Sequence, residues 1–203
     1  MSYILNAPLI LASRSVHRAQ ILSNAGLDFR QIASPLDERA IEAPLEEADV
    51  LPEDRAEILA EAKAVSVSEA QGGALVVGCD QILSFEGEVL HKVQDMEAAR
   101  RRLLHLQGKT HMLHSAVVLC QNGQTLFRHV TPCTMTMRPM TPEAIGRHLS
   151  HAGKGVLSSV GAYQIESLGA HLFDTIDGDL FSIVGLPLLP LLSALREHGG
   201  LDG

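Results

Sequence analysis

Ser13, Arg14, Ser15 and Arg18 crowd the stretch between an apolar run at residues 9–12 and an apolar stripe that begins at Val16. Hydroxyls, guanidinium groups and the free N–H groups of a helix start can together hold phosphate. Serines that merely cap the helix and arginines that face water would account for the same residues. Asp80 follows the apolar run Ala74-Leu75-Val76-Val77-Gly78-Cys79. Held rigidly at the carboxyl end of a central strand, its carboxylate can bind a cation or orient water; an Asp that starts a turn at Gln81 is the alternative. Asp37-Glu38-Arg39 offers a second metal carboxylate or a solvated charge cluster. Lys63 lies on the apolar side of its helix among alanines, and Lys92 follows a hairpin near Asp80 in sequence. Both are candidates to neutralise phosphate, or to snorkel. Glu166, closing the stretch Gly161-Ala162-Tyr163-Gln164-Ile165-Glu166, either accepts hydrogen bonds from a nucleobase edge or caps a short turn. Cleavage of a phosphoanhydride would use all of these groups, since it needs neutralised phosphate oxygens, a cation such as Mg²⁺ held by carboxylates, and a water with a base beside it.

Other signals are weaker. Arg100, Arg101 and Arg102 suggest an RNA-binding surface, but on an amphipathic helix part of the triplet must face water, and no aromatic platform accompanies it. The ten histidines include no HExxH motif and stand beside no Cys pair, so a zinc site is not expected. Neither a P-loop lysine motif nor a GxGxxG after a strand occurs, which argues against those two nucleotide sites. With 24 acidic and 16 basic side chains the formal charge is −8, so a nucleic acid polymer would meet a repulsive field. A few converging cations plus a divalent ion can still receive a small polyanion.

The elements that must position these groups follow from periodicity and punctuation. Residues 9–12 read as a strand, 14–25 as a helix with Val16, Ala19, Leu22 and Ala25 on one stripe, and 27–33 as a second strand. Residues 34–51 carry Pro35, Pro44 and many carboxylates without a sustained period and read as an acidic surface loop. Pro52 opens a helix that Gly72-Gly73 ends, and residues 74–79 form a buried central strand with Asp80 at its carboxyl end. A hairpin at Glu86-Gly87, a helix capped by Asp95, and two long strands joined at Asn122-Gly123 follow. Thr141-Pro142 starts another helix, a glycine-punctuated segment runs to Gly169, residues 170–176 make a strand, and Pro187 opens a last apolar helix. The expected fold is α/β, a mixed sheet covered by helices. The 203 residues, 46% hydrophobic and 20% charged, suffice for one core, and a single domain across the chain is expected. Cys79, Cys120 and Cys133 are widely spaced, which suits a reducing cytoplasm. No apolar run approaches the roughly 20 residues needed to span a bilayer, and no signal-like segment opens the chain, so a soluble, unexported protein without a membrane partner is expected.

The order of segments carries more information than any one of them. Leu9-Ile10-Leu11-Ala12-Ser13-Arg14-Ser15, with Arg18, Leu22 and Ala25-Gly26-Leu27, resembles the opening signature of the Maf family, LASxSPRR. Further marks follow in order: Asp37-Glu38; Ala62-Lys63-Ala64; Gly78-Cys79-Asp80-Gln81; Lys92 with Ala98 and Leu103; Gly108 and His111; Gly161-Ala162-Tyr163; and Val184-Gly185-Leu186-Pro187-Leu188. The resemblance implies a cytoplasmic pyrophosphatase that cuts nucleoside triphosphates between the α and β phosphates, releasing a monophosphate and pyrophosphate. It also implies an elongated, two-lobed α/β fold shared with inosine triphosphatase-like enzymes, a divalent metal (Mg or Mn), and a homodimer. Carried over by position, Asp80 would be the catalytic carboxylate and a metal ligand, Glu38 would assist at the metal, Ser13, Arg18, Lys63 and Lys92 would bind phosphates, and Glu166 would lie near the base. Val16 and His17 replace the usual Pro and first Arg, which leaves the role of position 17 open and lets Arg14 share in phosphate binding. Asp80-Gln81 with Glu166 is similar to the branch acting on 7-methyl-GTP, whereas the dTTP/UTP branch shows Asp-Thr and Gln. A nucleotide-binding regulator without catalysis and a dTTP/UTP pyrophosphatase stand as alternatives.

Overall fold

The computed structural model describes residues 3–201 and is built on one seven-stranded mixed sheet. The elements run β1 (Leu9–Leu11), α1 (Val16–Asn24), β2 (Arg30–Gln31), α2 (Glu38–Glu47), α3 (Pro52–Ser68), β3 (Leu75–Phe85), β4 (Glu88–Leu90), α4 (Met96–Leu106), β5 (Thr110–Gln121), β6 (Gln124–Met137), α5 (Pro142–Ala152), β7 (Phe173–Asp177), α6 (Leu180–Val184) and α7 (Leu188–Gly199). Two 3-10 turns, Gly153–Ser158 and Leu168–Leu172, flank the glycine-punctuated segment. The strands lie in the order β2-β1-β3-β5-β6-β7, with β4 also pairing β3. β1 is parallel to both β2 and β3, whereas β3, β5, β6 and β7 pair antiparallel. Among the described residues no helix is long and apolar enough to cross a membrane.

The expected local signals act where they were read. Ser15, Asp95 and Thr141 each cap a helix with a side-chain oxygen, and Pro52 and Pro142 sit in first turns where a missing N–H costs nothing. Asn122 and Gly123 both take positive φ, 51° and 74°, which lets a two-residue turn match the twist of β5 and β6.

Three expectations are corrected. Residues 34–51 are not a loop throughout, because Glu38–Glu47 is helical, with Asp37 accepting from the Arg39 N–H. Pro44 lies inside α2 and removes one hydrogen bond, and Glu38, Glu42 and Glu46 repel one another at i, i+4 spacing, but Lys63 and His91, outside the helix, pair with two of them. Strand 27–33 shrinks to Arg30–Gln31, because its partner β1 is only three residues long. Asp80 is not at a strand end, since β3 runs on to Phe85 against β5, with Asp80 opposite Ala116. What ends before Asp80 is the parallel ladder, whose last pair is Leu11 with Val77. A short helix, α6, also forms beyond β7, where no element was assigned from the sequence.

The apolar core is divided between two ends of the sheet. One cluster joins α1 and α7 to β1 and the first half of β3, around Leu22, Leu75, Val77, Leu191 and Leu195. The other joins α4 and α5 to the far halves of β3, β5 and β6, around Leu83, Leu103, Leu106, Leu113, Met135 and Ile145. Each such fully buried side chain contributes roughly 1.5–3 kcal/mol by leaving water. Between them α3 lies flat on the sheet through Ala56, Ala60 and Ala64, close enough that a Cβ on Gly78 would stand 2.1 Å from the Ala60 carbonyl oxygen. That close approach needs glycine, and it brings a side chain of α3 to β3.

Candidate active site

Alternation along β3 puts Gly78, Asp80 and Ile82 on the face covered by α3, and Cys79 and Gln81 on the other. On α3, Lys63 falls on the buried stripe with Ala56, Leu59, Ala60, Ala64 and Val67. The two patterns meet. Lys63 Nζ donates to Asp80 Oδ1 at 2.5 Å and stands 2.7 Å from Glu38 Oε2 at the start of α2. Lys63 and Asp80 are buried, so an ammonium left alone there would be costly, and the two carboxylates offset its desolvation.

Lys92, just past β4, is exposed and makes no ion pair with the cluster among the described residues, but it feels the same charges. Desolvation by its surroundings holds its pKa below the ordinary lysine value, the Arg18 and Lys63 charges add to that drop, and Asp80 and Glu38 oppose it. Glu42, one helical turn after Glu38, was not singled out from the sequence. Its pKa is pushed up first by burial and then by Asp80, Glu38 and Glu46, while His91 pulls it down. The spacing Glu38–Glu42 would have revealed it had residues 34–51 been read as a helix.

Ser13 and Arg18 form the adjoining wall. Ser13 Oγ accepts from the Ser15 N–H at 3.2 Å and from Arg18 Nη1 at 3.4 Å. Arg18 also donates from Nη1 to the Cys79 carbonyl at 2.8 Å and from Nε to the Gly185 carbonyl at 2.7 Å, tying α1 to β3 and to the end of α6. Gly185 takes φ 116°, a conformation that L side chains rarely adopt. Arg14 is exposed and pairs with no carboxylate among the described residues. Cys79, adjacent to the cluster, is an inert thiol: burial pushes its pKa up to about 11 against the pull of Arg18 and Lys63.

Gln81 does not share the Asp80 face. Its Nε2 donates to Ser115 Oγ at 2.8 Å and to the Ser182 and Ile183 carbonyls at 3.0 Å, so it holds the last turn of α6.

Glu166 lies outside the lysine–carboxylate cluster. Its Oε1 is 3.1 Å from His17 Nδ1, and both side chains are about 34% exposed. The segment that carries it is anchored from below. Tyr163 is buried and its hydroxyl meets His111 Nε2 at 2.7 Å, while Ala162 takes φ 60°, which few non-glycine residues adopt. Burial, assisted by the Arg102 charge, brings the His111 pKa down to about 4, so the imidazole is neutral. Arg102, from the arginine triplet, donates to the Val160 carbonyl at 2.6 Å and to the His91 carbonyl at 2.9 Å, tying α4 to both segments. Arg101 pairs with Glu97 at the surface, and Arg100 is exposed.

The described residues also form a half-open pocket of about 300 Å³ between Arg138, Met140, His148, His151 and His171, which includes none of the predicted site residues. The lysine–carboxylate cluster is the better candidate, because it joins an ammonium, two carboxylates and the Ser13 and Arg18 wall, the ionic groups that a triphosphate tail needs.

A family model described as Maf-like protein matches residues 8–198. The chain is 55% identical over 195 residues to a protein of Brucella abortus biovar 1 (strain 9-941) named 7-methyl-GTP pyrophosphatase, covering 96% of this chain and 98% of that one. A protein of the same name from Mesorhizobium japonicum is 57% identical over 195 residues, and one from Rhizobium etli 50%, with the same coverage.

Proposed function

Because the chain belongs to the Maf-like protein family, and because one buried lysine joins carboxylates from two separate stretches beside the Ser13 and Arg18 wall, we propose that it is a nucleoside triphosphate pyrophosphatase that favours 7-methyl-GTP. Water adds to phosphorus at the α–β bridge, Asp80 takes the proton, and the bridging P–O bond breaks to leave a nucleoside monophosphate and pyrophosphate. Ser13, Arg18, Lys63 and Lys92 neutralise the phosphate oxygens, with exposed Arg14 meeting the tail from outside. Glu166 faces the base.

A divalent cation, Mg²⁺ or Mn²⁺, fits this donor set. Asp80 Oδ1 and Glu38 Oε2 both meet the Lys63 ammonium, at 2.5 and 2.7 Å, so a divalent ion would be held by the other oxygen of each of these hard carboxylates. Among the described residues no cluster of three or more metal-binding side chains gathers, so the ion would take most of its ligands from phosphates and water. When bound, it would supply charge neutralisation of the phosphates as pyrophosphate departs.

The cytoplasmic setting, the single domain and the homodimer belong to the same reading. The three cysteines are free and buried, as a reducing compartment allows.

The observation that carries the reading is the bridge from Asp80 through Lys63 to Glu38. Pyrophosphate release from 7-methyl-GTP, GTP, dTTP and UTP with Mg²⁺ or Mn²⁺ tests it, with the fastest turnover expected for 7-methyl-GTP. Failure to cleave any triphosphate would end it.

A further inference from the structure

We propose that His17 is a positioning residue for base recognition: it orients the Glu166 side chain with no permanent cation beside it, so that Glu166 selects a positively charged purine over its neutral counterpart. The proposal deepens the functional reading above and rests on it for the identity of the ligand.

The first turn of α1 forks. Arg18 reaches toward Ser13, Cys79 and Gly185, on the phosphate side. His17, one residue earlier and therefore about 100° away around the helix, turns to the opposite wall. Its Nδ1 is 3.1 Å from Glu166 Oε1, and its Nε2 is 3.3 Å from Gln164 Nε2 and 3.4 Å from Ser158 Oγ. All three partners belong to the segment that approaches from residues 158–166. Both ring nitrogens are occupied there, so position 17, where the family pattern has an arginine, does not face the phosphate wall in this chain.

The carboxylate fixes the direction of the contact. An ionised carboxylate only accepts, so Nδ1 is the nitrogen that donates to Glu166. The histidine thus orients Glu166 without setting a permanent charge against it. Among the described residues no other ion pair or hydrogen bond engages Glu166, so its second oxygen is open to a ligand. An arginine at position 17 would instead put a permanent positive charge against the carboxylate.

The ligand chemistry follows. A guanine edge offers N1–H and the exocyclic amine to a carboxylate. Alkylation at N7 adds a positive charge to the same ring system and strengthens N1–H as a donor. GTP and 7-methyl-GTP share the triphosphate and the donor edge, so their ratio reports the charge of the base, whereas a phosphate role for position 17 would affect both alike.

The experiment compares the wild-type protein with His17→Arg, Glu166→Gln and the double variant. We expect His17→Arg to lower the ratio of kcat/KM for 7-methyl-GTP over GTP about tenfold, a moderate effect because the pair is partly exposed, with the change in KM rather than kcat. Glu166→Gln should lower the ratio similarly, and the double variant should lose little more, since the two residues act through one another. An unchanged ratio in His17→Arg, including an equal loss for both nucleotides, overturns the proposal. Calorimetric binding of 7-methyl-GMP and GMP to the same proteins separates the two readings. If no triphosphate is cleaved but preference for 7-methyl-GMP is present and disappears in His17→Arg, the hydrolytic reading fails and this proposal stands. If triphosphates are cleaved while both ratios ignore His17→Arg, the reverse holds.

Discussion

Lys63 and Asp80 expose 7% and 8% of their surface, whereas His17 and Glu166, outside that cluster, each leave about a third of the side chain open. The first pair rides on a 17-residue helix and an 11-residue strand, locked together by small residues and by the ladder from β3 to β5. The second pair joins a helix start to a segment of tight turns, held from beneath by the Tyr163–His111 hydrogen bond and the Arg102 contact to Val160. Under the proposed function the difference has a use: groups that act on a phosphoanhydride gain from being held within a fraction of an ångström, and long packed elements do that. Groups proposed to choose among bases would meet a ligand that arrives from water, and turns at the surface allow the access.

The most forceful way to break this contrast is at Asp80. Asp80→Asn should lower kcat about 1,000-fold, the scale of losing a positioned base, with the thermal midpoint little changed because Lys63 keeps Glu38 as a partner. Steady-state pyrophosphate release measures it, and an equal kcat loss in Glu166→Gln would erase the distinction between the two ends. Next in size is Gly78→Ala, whose Cβ would lie 2.8 Å from the Ala64 Cβ as well as against the Ala60 carbonyl. Overpacking there should cost about 3 kcal/mol in urea unfolding and lower activity by shifting Lys63 away from Asp80. Unaltered stability would mean that α3 is not held as tightly as its contact with β3 indicates.

A further effect, no larger, sharpens the contrast at the other end. His111 has its pKa depressed to about 4 in the folded state, so between the unfolded value near 6.5 and 4 the unfolded chain binds the extra proton. The stabilisation is therefore complete above pH 6.5 and is lost as pH falls from there toward the folded pKa, by on the order of 3 kcal/mol. His114 and His148, also depressed by burial, act in the same direction. Unfolding midpoints from pH 7 to 4, read beside the imidazole resonance of His111, test this. Titration of that resonance at an ordinary histidine value would show that the anchor beneath the Glu166 segment is wet.

Much of the frame was legible because its signals act over a few residues. Ser15, Asp95 and Thr141 cap helices through bonds within three residues, and the Asn122-Gly123 turn closes on itself. Residues 34–51 were misread because Pro44 argues against a helix locally, while its counterweights lie elsewhere: Glu38 on Lys63, and Glu46 on His91 at 2.9 Å. Asp80 was recognised as a held carboxylate but placed at a strand end, since nothing local reveals that β5 extends β3 beyond its parallel partner. Arg102 sat in a triplet that looked like a solvated face, and its two carbonyl partners are 11 and 58 residues away.

The sequence by itself determined which residue types were present for phosphate chemistry, the order of strands and helices that carry them, and the membership in a family that these marks announce. Only the tertiary structure decided that Lys63 lies between Asp80 and Glu38, that Gln81 turns away to hold α6, and that His17 faces Glu166 rather than the phosphate wall. Local rules follow from backbone geometry within a turn or a pleat, whereas His17 and Gln164 meet across 147 residues, and that meeting depends on how every intervening element packs.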